Sequence, residues 1–368
     1  MFLAYKEMRY AKLRFILIIG IMVLVAYVVF MLSGLASGLA NGHKKAIADW
    51  HSQTVVLSAD SNKVASASIL KQADLARVHA GGAKKAAVGI FSSAIQKQGS
   101  HKRTNMTVFG AKATAFVVPK VISGRRYRNA HEIIVSKNLS EENHYRLGDE
   151  VRLGSLHHKF KIVGITKATT YAVAPVAYAN LNAFTKLKYG GQPFQSDREK
   201  PINLIAVKTK TPKKVRITTT AADTKVTKMS SATLIQNLPG FSAEKITLNT
   251  MIDFLFVVVA AIVGIFLYVM TLQKTALFGV LKAQGIKTAY LVVSVVSQAL
   301  MVGVIGVALA FCLSYLTSLI LPAAMPFSLD GVQWLIDGGI LILVSILGGL
   351  FSVRTVTKVD PIKAIGGE

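Results

Sequence analysis

The chain has 368 residues, of which 52% are hydrophobic and 17% are charged, and its mean hydropathy is +0.46. A soluble domain carries about 25% charged residues, so this composition excludes a wholly soluble chain and indicates a membrane protein with a water-exposed part. The formal net charge is +25, and the single cysteine, Cys312, excludes a disulfide within the chain.

The chain opens on a basic segment followed by a long apolar run. Residues 1–14 hold four cations against one acid, Glu7, and such a basic flank is expected on the cytoplasmic side of a membrane. The next 22 residues, Phe15–Ala36, carry no charge, and roughly 20 apolar residues in a helix cross a hydrocarbon core of ~30 Å. A cleaved signal peptide is the alternative. Its apolar region usually has about 7–15 residues, which favours a retained first span over residues 15–36.

Residues 37–250 form the main polar segment and predict a separate domain outside the membrane. From Asn41 to Thr250 this segment has 33 Lys and Arg against 12 Asp and Glu. Such basicity is compatible with nucleic-acid binding, but the cations are spread thinly and form no patch interleaved with aromatic residues. Anionic wall polymers and lipid headgroups are the favoured neighbours, and no nucleic-acid partner is predicted. All eight histidines lie here, and no His, Cys, Asp or Glu spacing matches a metal site.

Alternating and β-branched runs separated by turn signals predict an α+β fold for this domain. Strands are predicted at Thr54–Ser58, Glu132–Val135, Glu150–Leu153, Phe160–Ile165 and Ile202–Lys208. The stretch Thr104–Pro119 alternates like further strands, and Asp60–Arg77 is typical of a helix or a loop. Residues Lys245–Thr250 run directly into the next apolar stretch, which is predicted to begin outside the bilayer as a stalk.

Three more apolar runs follow, predicting spans over residues 251–272, 289–321 and 331–353. The predicted fold class is therefore a membrane α-helical protein with four transmembrane helices and a large α+β extracellular domain inserted between helices 1 and 2. The loop 273–288 is basic, the tail 354–368 carries three cations, and the loop 322–330 has only Asp330. Because cations favour the cytoplasmic side of short loops, we expect a plasma-membrane protein with both termini in the cytoplasm.

No catalytic motif occurs in the sequence. The G-x-S-x-G and H-E-x-x-H patterns are missing, and the run closest to a phosphate-binding loop begins at Gly279 but has Ile286 between glycine and lysine. The chain is therefore predicted not to be an enzyme and to hold no permanent cofactor. Any energy for its work must come from another subunit.

The loop between the second and third spans contains a short amphipathic run, Leu281-Lys282-Ala283-Gln284-Gly285. It is similar to the L-[RK]-A-x-G coupling helix of the FtsX/MacB-type family of ABC transporter permeases, with Gln284 where leucine is usual. Residues 1–14 resemble the basic amphipathic helix that precedes the first span in this family, which implies a cytoplasmic amphipathic helix there. The strands and L-G-D turn between Ile133 and Ile165, and the run Asp360–Ile365, resemble further segments of the same family. The resemblance implies that Leu281, Lys282, Ala283 and Gly285 dock on a separate cytoplasmic ATPase subunit.

Within that family, the opening segment Met1–Leu39 and the total length resemble the HrtB-type haem-efflux permeases. This resemblance implies outward removal of haem, as a transported substrate, or of another amphipathic molecule from the membrane. Two alternatives stay open: export of a peptide or lipid, and transmission of a signal that regulates a cell-wall hydrolase.

Aromatic and sulfur side chains in the first two spans are the candidate substrate contacts, because haem needs axial ligands or an aromatic slot. The candidates are Tyr27, Phe30, Met31 and Phe256, although such residues also simply fill cores. Gly34 and Gly38 form a small-xxx-small pair that indicates either packing within the chain or the seam of a homodimer. Asp253 and Asp337 are expected to be solvated at the membrane border.

Overall fold

The computed structural model describes residues 2–154, 158–190, 193–218, 224–322 and 325–358, with the backbone alone for 2–5 and 354–358. The predicted C-terminal motif Asp360–Ile365 lies outside the described residues. The helices are α1 (Phe2–Tyr10), α2 (Lys12–Asp49), α3 (Asp74–Arg77), α4 (Lys137–Glu142), α5 (Leu181–Tyr189), α6 (Ser231–Gln236), α7 (Phe241–Leu272), α8 (Thr275–Ala283), α9 (Thr288–Ile320) and α10 (Gly331–Lys358).

The strands all fall between α2 and α6. They are β1 (Thr54–Ser58), β2 (Leu70–Lys71), β3 (Val78–His79), β4 (Lys84–Lys97), β5 (Arg103–Gly110), β6 (Val121–Gly124), β7 (Glu132–Ser136), β8 (Glu150–Leu153), β9 (Lys159–Thr166), β10 (Thr170–Tyr171), β11 (Ala174–Ala179), β12 (Pro201–Ile202), β13 (Leu204–Lys208), β14 (Arg216–Ile217) and β15 (Val226–Ser230).

The chain divides into two compact units. The helical unit comprises Met1–Gly38 and Lys245–Glu368, and the domain comprises Leu39–Glu244. Four helices, α2, α7, α9 and α10, are long and apolar enough to cross a membrane. The chain is thus a multi-pass membrane protein, and the predicted fold class is confirmed. The second span is part of a helix that begins at Phe241, well before its apolar run, as expected for a stalk.

The domain is built on a mixed sheet of eleven described strands. Its path is β10-β11-β7-β9-β8-β4-β13-β1-β15, with β5 beside β11 and β4, and β6 beside β9. Most pairs are antiparallel, whereas β5–β11 and β7–β9 are parallel. The five predicted strands are confirmed to within two residues. The strand pattern predicted for Thr104–Pro119 is wrong beyond Gly110, where turns follow β5, and Asp60–Arg77 contains short helical turns and β2.

A paired glycine site fixes α5 on this sheet. Gly89 of β4 and Gly110 of β5 are directly opposite in register, and a Cβ on either would overlap the buried ring of Phe184. The side chain of Asn180 caps α5 by accepting a hydrogen bond from Ala183 N at 2.8 Å, and Gly190 ends it in the left-handed region. The Phe184 ring of α5 therefore occupies the space that the two glycines leave on the sheet.

The helical unit packs through small residues, as is usual where lipid removes the hydrophobic drive between helices. A Cβ on Gly306 of α9 would overlap the side chain of Met22 of α2, and Gly264 of α7 lies against the backbone of Gly348 of α10. Buried hydroxyls join the helices further: Ser345 Oγ donates to Ala299 O at 3.0 Å. The four spans therefore form one closely packed bundle.

Candidate functional site

A glycine-terminated helix, α8, lies between the second and third spans. Gly285 has φ +86°, its N–H donates to Lys282 O at 3.0 Å, and Ile286 N–H donates to Leu281 O at 3.1 Å. These two bonds define a Schellman end, in which a left-handed glycine satisfies the last carbonyls of a helix. Gly285 therefore ends α8.

The two faces of α8 have different surroundings. Phe278 is buried against Leu291 and Val295 of α9, and Leu281 and Ile286 are half-buried beside them. A hydrophobic contact between residues such as Leu281 and Ile286, on either side of the terminal glycine, normally accompanies a Schellman end. Local packing therefore accounts for an apolar residue at position 281. On the other face Leu277 is 50% exposed and Val280 is 40% exposed.

The exposed apolar face of α8 also includes Ala276 and Ala283, whereas Lys282 is half-buried. An apolar strip next to a glycine-ended turn, outside the apolar spans, is a surface that another protein can cover. Docking by Leu281, Lys282, Ala283 and Gly285 stays a prediction. Leu277 and Val280, which the structure leaves exposed, are further candidates for this docking surface. The sequence could have indicated them, because residues three apart lie on one face of a helix.

Helix α1 is tied to the start of α8 and to α9 by a single acid. Glu7 Oε2 lies 3.1 Å from Lys274 Nζ and also accepts a hydrogen bond from the buried Gln298 side chain. At the same end, Arg14 of α2 donates to the side chain of Gln273. The amphipathic helix, α8 and three of the spans are therefore connected at this end, which we call the α8 end of the bundle.

Gly34 and Gly38 are covered by the chain's own loop between α9 and α10. A Cβ on Gly34 would overlap the ring of Phe327, and one on Gly38 would overlap the backbone oxygen of Pro326. Ser328 N donates to Gly34 O at 3.0 Å. The structure thus favours packing within the chain over a homodimer seam for this pair. We call this region the loop end of the bundle.

An aromatic cluster lies beneath that loop. The Phe30 ring is fully buried, with ring centroids 5.9 Å from Phe311 and 5.4 Å from Trp334, and Phe327 lies 6.4 Å from Trp334. Phe30 therefore serves the core in this conformation. Its predicted contact with substrate stays a prediction.

The other three candidate substrate residues lie outside this cluster and are half-buried. Tyr27 Oη donates to Thr317 Oγ1 of α9 at 3.3 Å. Phe256 packs on the edge of the bundle core, and Met31 lies one turn beyond Tyr27 on α2. Tyr27 and Met31 therefore keep partial access to the bundle surface, while Phe256 lies on a different helix, and the structure assigns no ligand to any of them.

The expectation that Asp337 is solvated is wrong. Its side chain is 2% exposed, with Oδ1 accepting from Gln333 Nε2 at 2.9 Å, while Oδ2 is buried without a hydrogen-bond partner among the described residues. The reason is that α10 begins at Gly331, so Asp337 lies nearly two turns inside the helix, beside Gly338, which packs on Val307 and Phe30. Asp253 is exposed, as expected.

Within the domain, a buried histidine joins the two helices that lead to the first and second spans. His43 Nε2, on α2, lies 2.8 Å from Glu244 Oε2, on the first turn of α7, and Phe241 packs edge-on at 5.8 Å. The neighbouring carbonyls of α2 accept hydrogen bonds from Ala172 and Val173, two non-glycine residues at positive φ in the β10–β11 turn. Sequence reasoning missed this junction because its partners are 201 residues apart.

The four spans, the inserted α+β domain and the glycine-ended helix together define a permease subunit of an ABC transporter. Two family profiles agree: the MacB-like periplasmic core domain matches residues 15–225, and the FtsX-like permease C-terminal region matches residues 249–361. The chain belongs to the FtsX/MacB-type family of ABC transporter permeases. It is not itself an ATPase, and membership implies an ATPase partner.

Relatives of full length match nearly the whole chain. A Staphylococcus haemolyticus protein provisionally named hemin transport system permease protein HrtB is 30% identical over 372 residues, covering 99% of both chains. Its Staphylococcus epidermidis counterpart is 30% identical over 374 residues, again covering 99% of both. An uncharacterised ABC transporter permease of Mycobacterium bovis is 26% identical over 370 residues, covering 100% of this chain and 99% of its own.

Proposed function

We propose that this chain is the permease of an exporter that moves haem, or a similar amphipathic molecule, out of the membrane. A separate ATPase drives it from the cytoplasm by binding the exposed face of α8. The observation that carries the proposal is the 30% identity, over 99% of both chains, to proteins named as hemin permeases. The same architecture suits lateral capture, since Tyr27 and Met31 are half-buried and keep partial access to the bundle surface.

The proposed working form is a homodimer with haem held where spans one and two of two copies meet. Apolar side chains on the free faces of α2 and α7 support this arrangement: Leu24 is 63% exposed and Val257 is 65% exposed. The junction of His43 with Glu244 would pass relative movement of α2 and α7 to the domain. Movement of either helix during transport would then change the domain as well.

Haem handling is tested in cells and on purified protein. Deleting the gene is expected to make cells sensitive to added hemin, and the purified complex with its ATPase is expected to bind hemin saturably with a shifted Soret band. Met31→Ala or Tyr27→Phe should alter that band if either side chain is an axial ligand, while Met8→Ala at the α8 end should not. A hemin-insensitive deletion strain together with no saturable binding would overturn haem as the substrate and favour peptide or lipid export.

The proposed orientation places the domain outside and α8 inside. In a Cys312→Ala background, Ser123→Cys on exposed β6 should react with an impermeant maleimide in whole cells, because its side chain faces solvent. Gln284→Cys, at the exposed end of α8, should react only after lysis. The reverse labelling pattern would contradict the orientation.

Signalling to a wall hydrolase makes a different prediction in the same cells. Loss of a signal transmitter should change wall turnover and cell separation, with no specific effect of hemin. A deletion strain with that phenotype and normal hemin tolerance would favour this alternative.

A further inference from the structure

The domain contains a groove of about 530 Å³ between the start of β4 and the turns that follow β5. This volume is within the range of small-molecule sites, about 300–1,000 Å³. Four cations line the groove, and no acid is among its lining residues. They are Lys84, Lys85, Lys112 and Arg126.

The charges of these cations are not neutralised by ion pairs in the described part of the chain. Arg126 donates to the carbonyl oxygens of Ala113 and Val118, and Lys85 Nζ donates to those of Leu75 and Val78 at 2.9 and 2.7 Å. Carbonyl oxygens satisfy hydrogen-bond donors but leave the positive charge in place.

Neighbouring cations show the contrast. Arg125 is paired with Glu132, whose Oε1 is 2.6 Å from Nη2, and this hydrogen bond is the main reason that the pKa of Glu132 falls to about 2. Lys112 interacts electrostatically with an acid, Asp197. The hydrogen bond from Lys200 lowers the pKa of Asp197 most, and Lys112 adds only a weak electrostatic contribution.

The floor of the groove is apolar. Ala86 and Val118 are buried, and Leu75, Ala115 and Phe116 are half-buried beneath the cationic rim. A ligand that fits must therefore offer an apolar body to Phe116 and anionic groups to Lys84 and Lys112, two of the exposed lysines of the rim. A purely ionic ligand would leave the floor without a partner, and a neutral one would leave the rim without a partner.

We propose that this groove binds a small anionic amphiphile, with an apolar body and one or more carboxylates. The inference deepens the proposed function, because hemin is an aromatic ring system with two carboxylates. It assigns the domain a binding site for the exported molecule that is separate from any site in the spans. Long anionic polymers are the competing occupants of a cationic surface, and the test below separates them.

Binding of an iron-free probe tests the groove without involving axial ligation. Full-length protein in lipid nanodiscs is titrated with deuteroporphyrin IX, a dicarboxylate, and with its neutral dimethyl ester, each corrected against empty nanodiscs. We expect saturable binding of the diacid, at least about tenfold tighter than that of the ester, and weakened by raising the salt concentration. The double variant Lys84→Glu, Lys112→Glu should bind the diacid about tenfold more weakly, because two attractions become repulsions.

Lys102→Glu, Lys167→Glu is the matched control, since it makes the same change of net charge at two exposed lysines outside the groove. It should bind as the unaltered protein does. Equal binding of diacid and ester, or equal loss in both double variants, would overturn the proposal, and displacement of the probe by a wall polymer but not by free hemin would assign the groove to polymers. Normal hemin tolerance of the deletion strain, with groove binding intact, would instead contradict only the proposed function.

Discussion

Leu277→Asp should uncouple the permease from its ATPase while leaving the helical bundle folded. Leu277 is 50% exposed and lies outside the Phe278 cluster, so the new carboxylate would be solvated in the isolated subunit. In the complex it would be buried in an apolar contact, and burying an unpaired charge costs several kcal/mol. We expect the affinity for the ATPase to fall about a hundredfold or more and export to cease, measured by co-purification and by hemin tolerance.

Two variants on the same helix make this prediction specific. Gln284→Asp adds the same charge at an exposed polar position at the end of α8 and should weaken ATPase binding less than Leu277→Asp does, because no apolar side chain is lost from the contact. Leu281→Asp should also abolish export, but through damage to the packing of Leu281 beside Ile286, seen as a lower unfolding temperature. Co-purification of a fully active ATPase with the Leu277→Asp permease would refute docking on this face.

Gly38→Ala should destabilise the loop end of the bundle strongly. The added Cβ would overlap the backbone oxygen of Pro326, which cannot move without displacing the loop that covers α2. Overpacking of this kind typically costs about 1–3 kcal/mol. We expect a clearly lower unfolding temperature in detergent and reduced export, because the aromatic cluster below the loop would lose its cover.

Gly34→Ala provides an internal test of the same packing. Its Cβ would meet the ring of Phe327, a side chain, so Phe327→Ala should restore part of the stability lost by Gly34→Ala but none of that lost by Gly38→Ala. Gly20→Ala is the control, since nothing lies within 4 Å of its added Cβ. Unchanged stability in Gly38→Ala, or equal rescue of both glycine variants, would show that the loop does not pack as described.

The helical part of the fold was predictable because its signal is local. A charge-free run of 22 residues, Phe15–Ala36, predicts a span whatever surrounds it, and glycine after an amphipathic run predicts the end of α8 at Gly285. Strands such as Glu150–Leu153 were predictable because turn residues bound them on both sides. By contrast, the position of α5 on the sheet was not predictable, because it depends on Gly89 and Gly110, which lie on two different strands.

The roles of individual side chains depended on distant partners and were less predictable. The sequence motif points to Leu281 as the docking residue, yet contact with α9 turns that side chain inward and leaves Leu277 outside. Asp337 lies near the start of α10 and resembles a border residue, yet the bundle buries it. The junction of His43 with Glu244 and the groove beside Lys112 exist only after the domain has folded.

ATP hydrolysis by the purified permease–ATPase complex in nanodiscs, with and without hemin, tests the central claim most directly. The proposed coupling of the ATPase through α8 and the proposed binding of substrate by the permease predict that hemin raises the hydrolysis rate several-fold. The same addition should leave unchanged the rate of the ATPase mixed with Leu277→Asp permease. A hydrolysis rate that does not respond to hemin, in a complex that stays assembled, would contradict the assignment of this chain as a haem exporter.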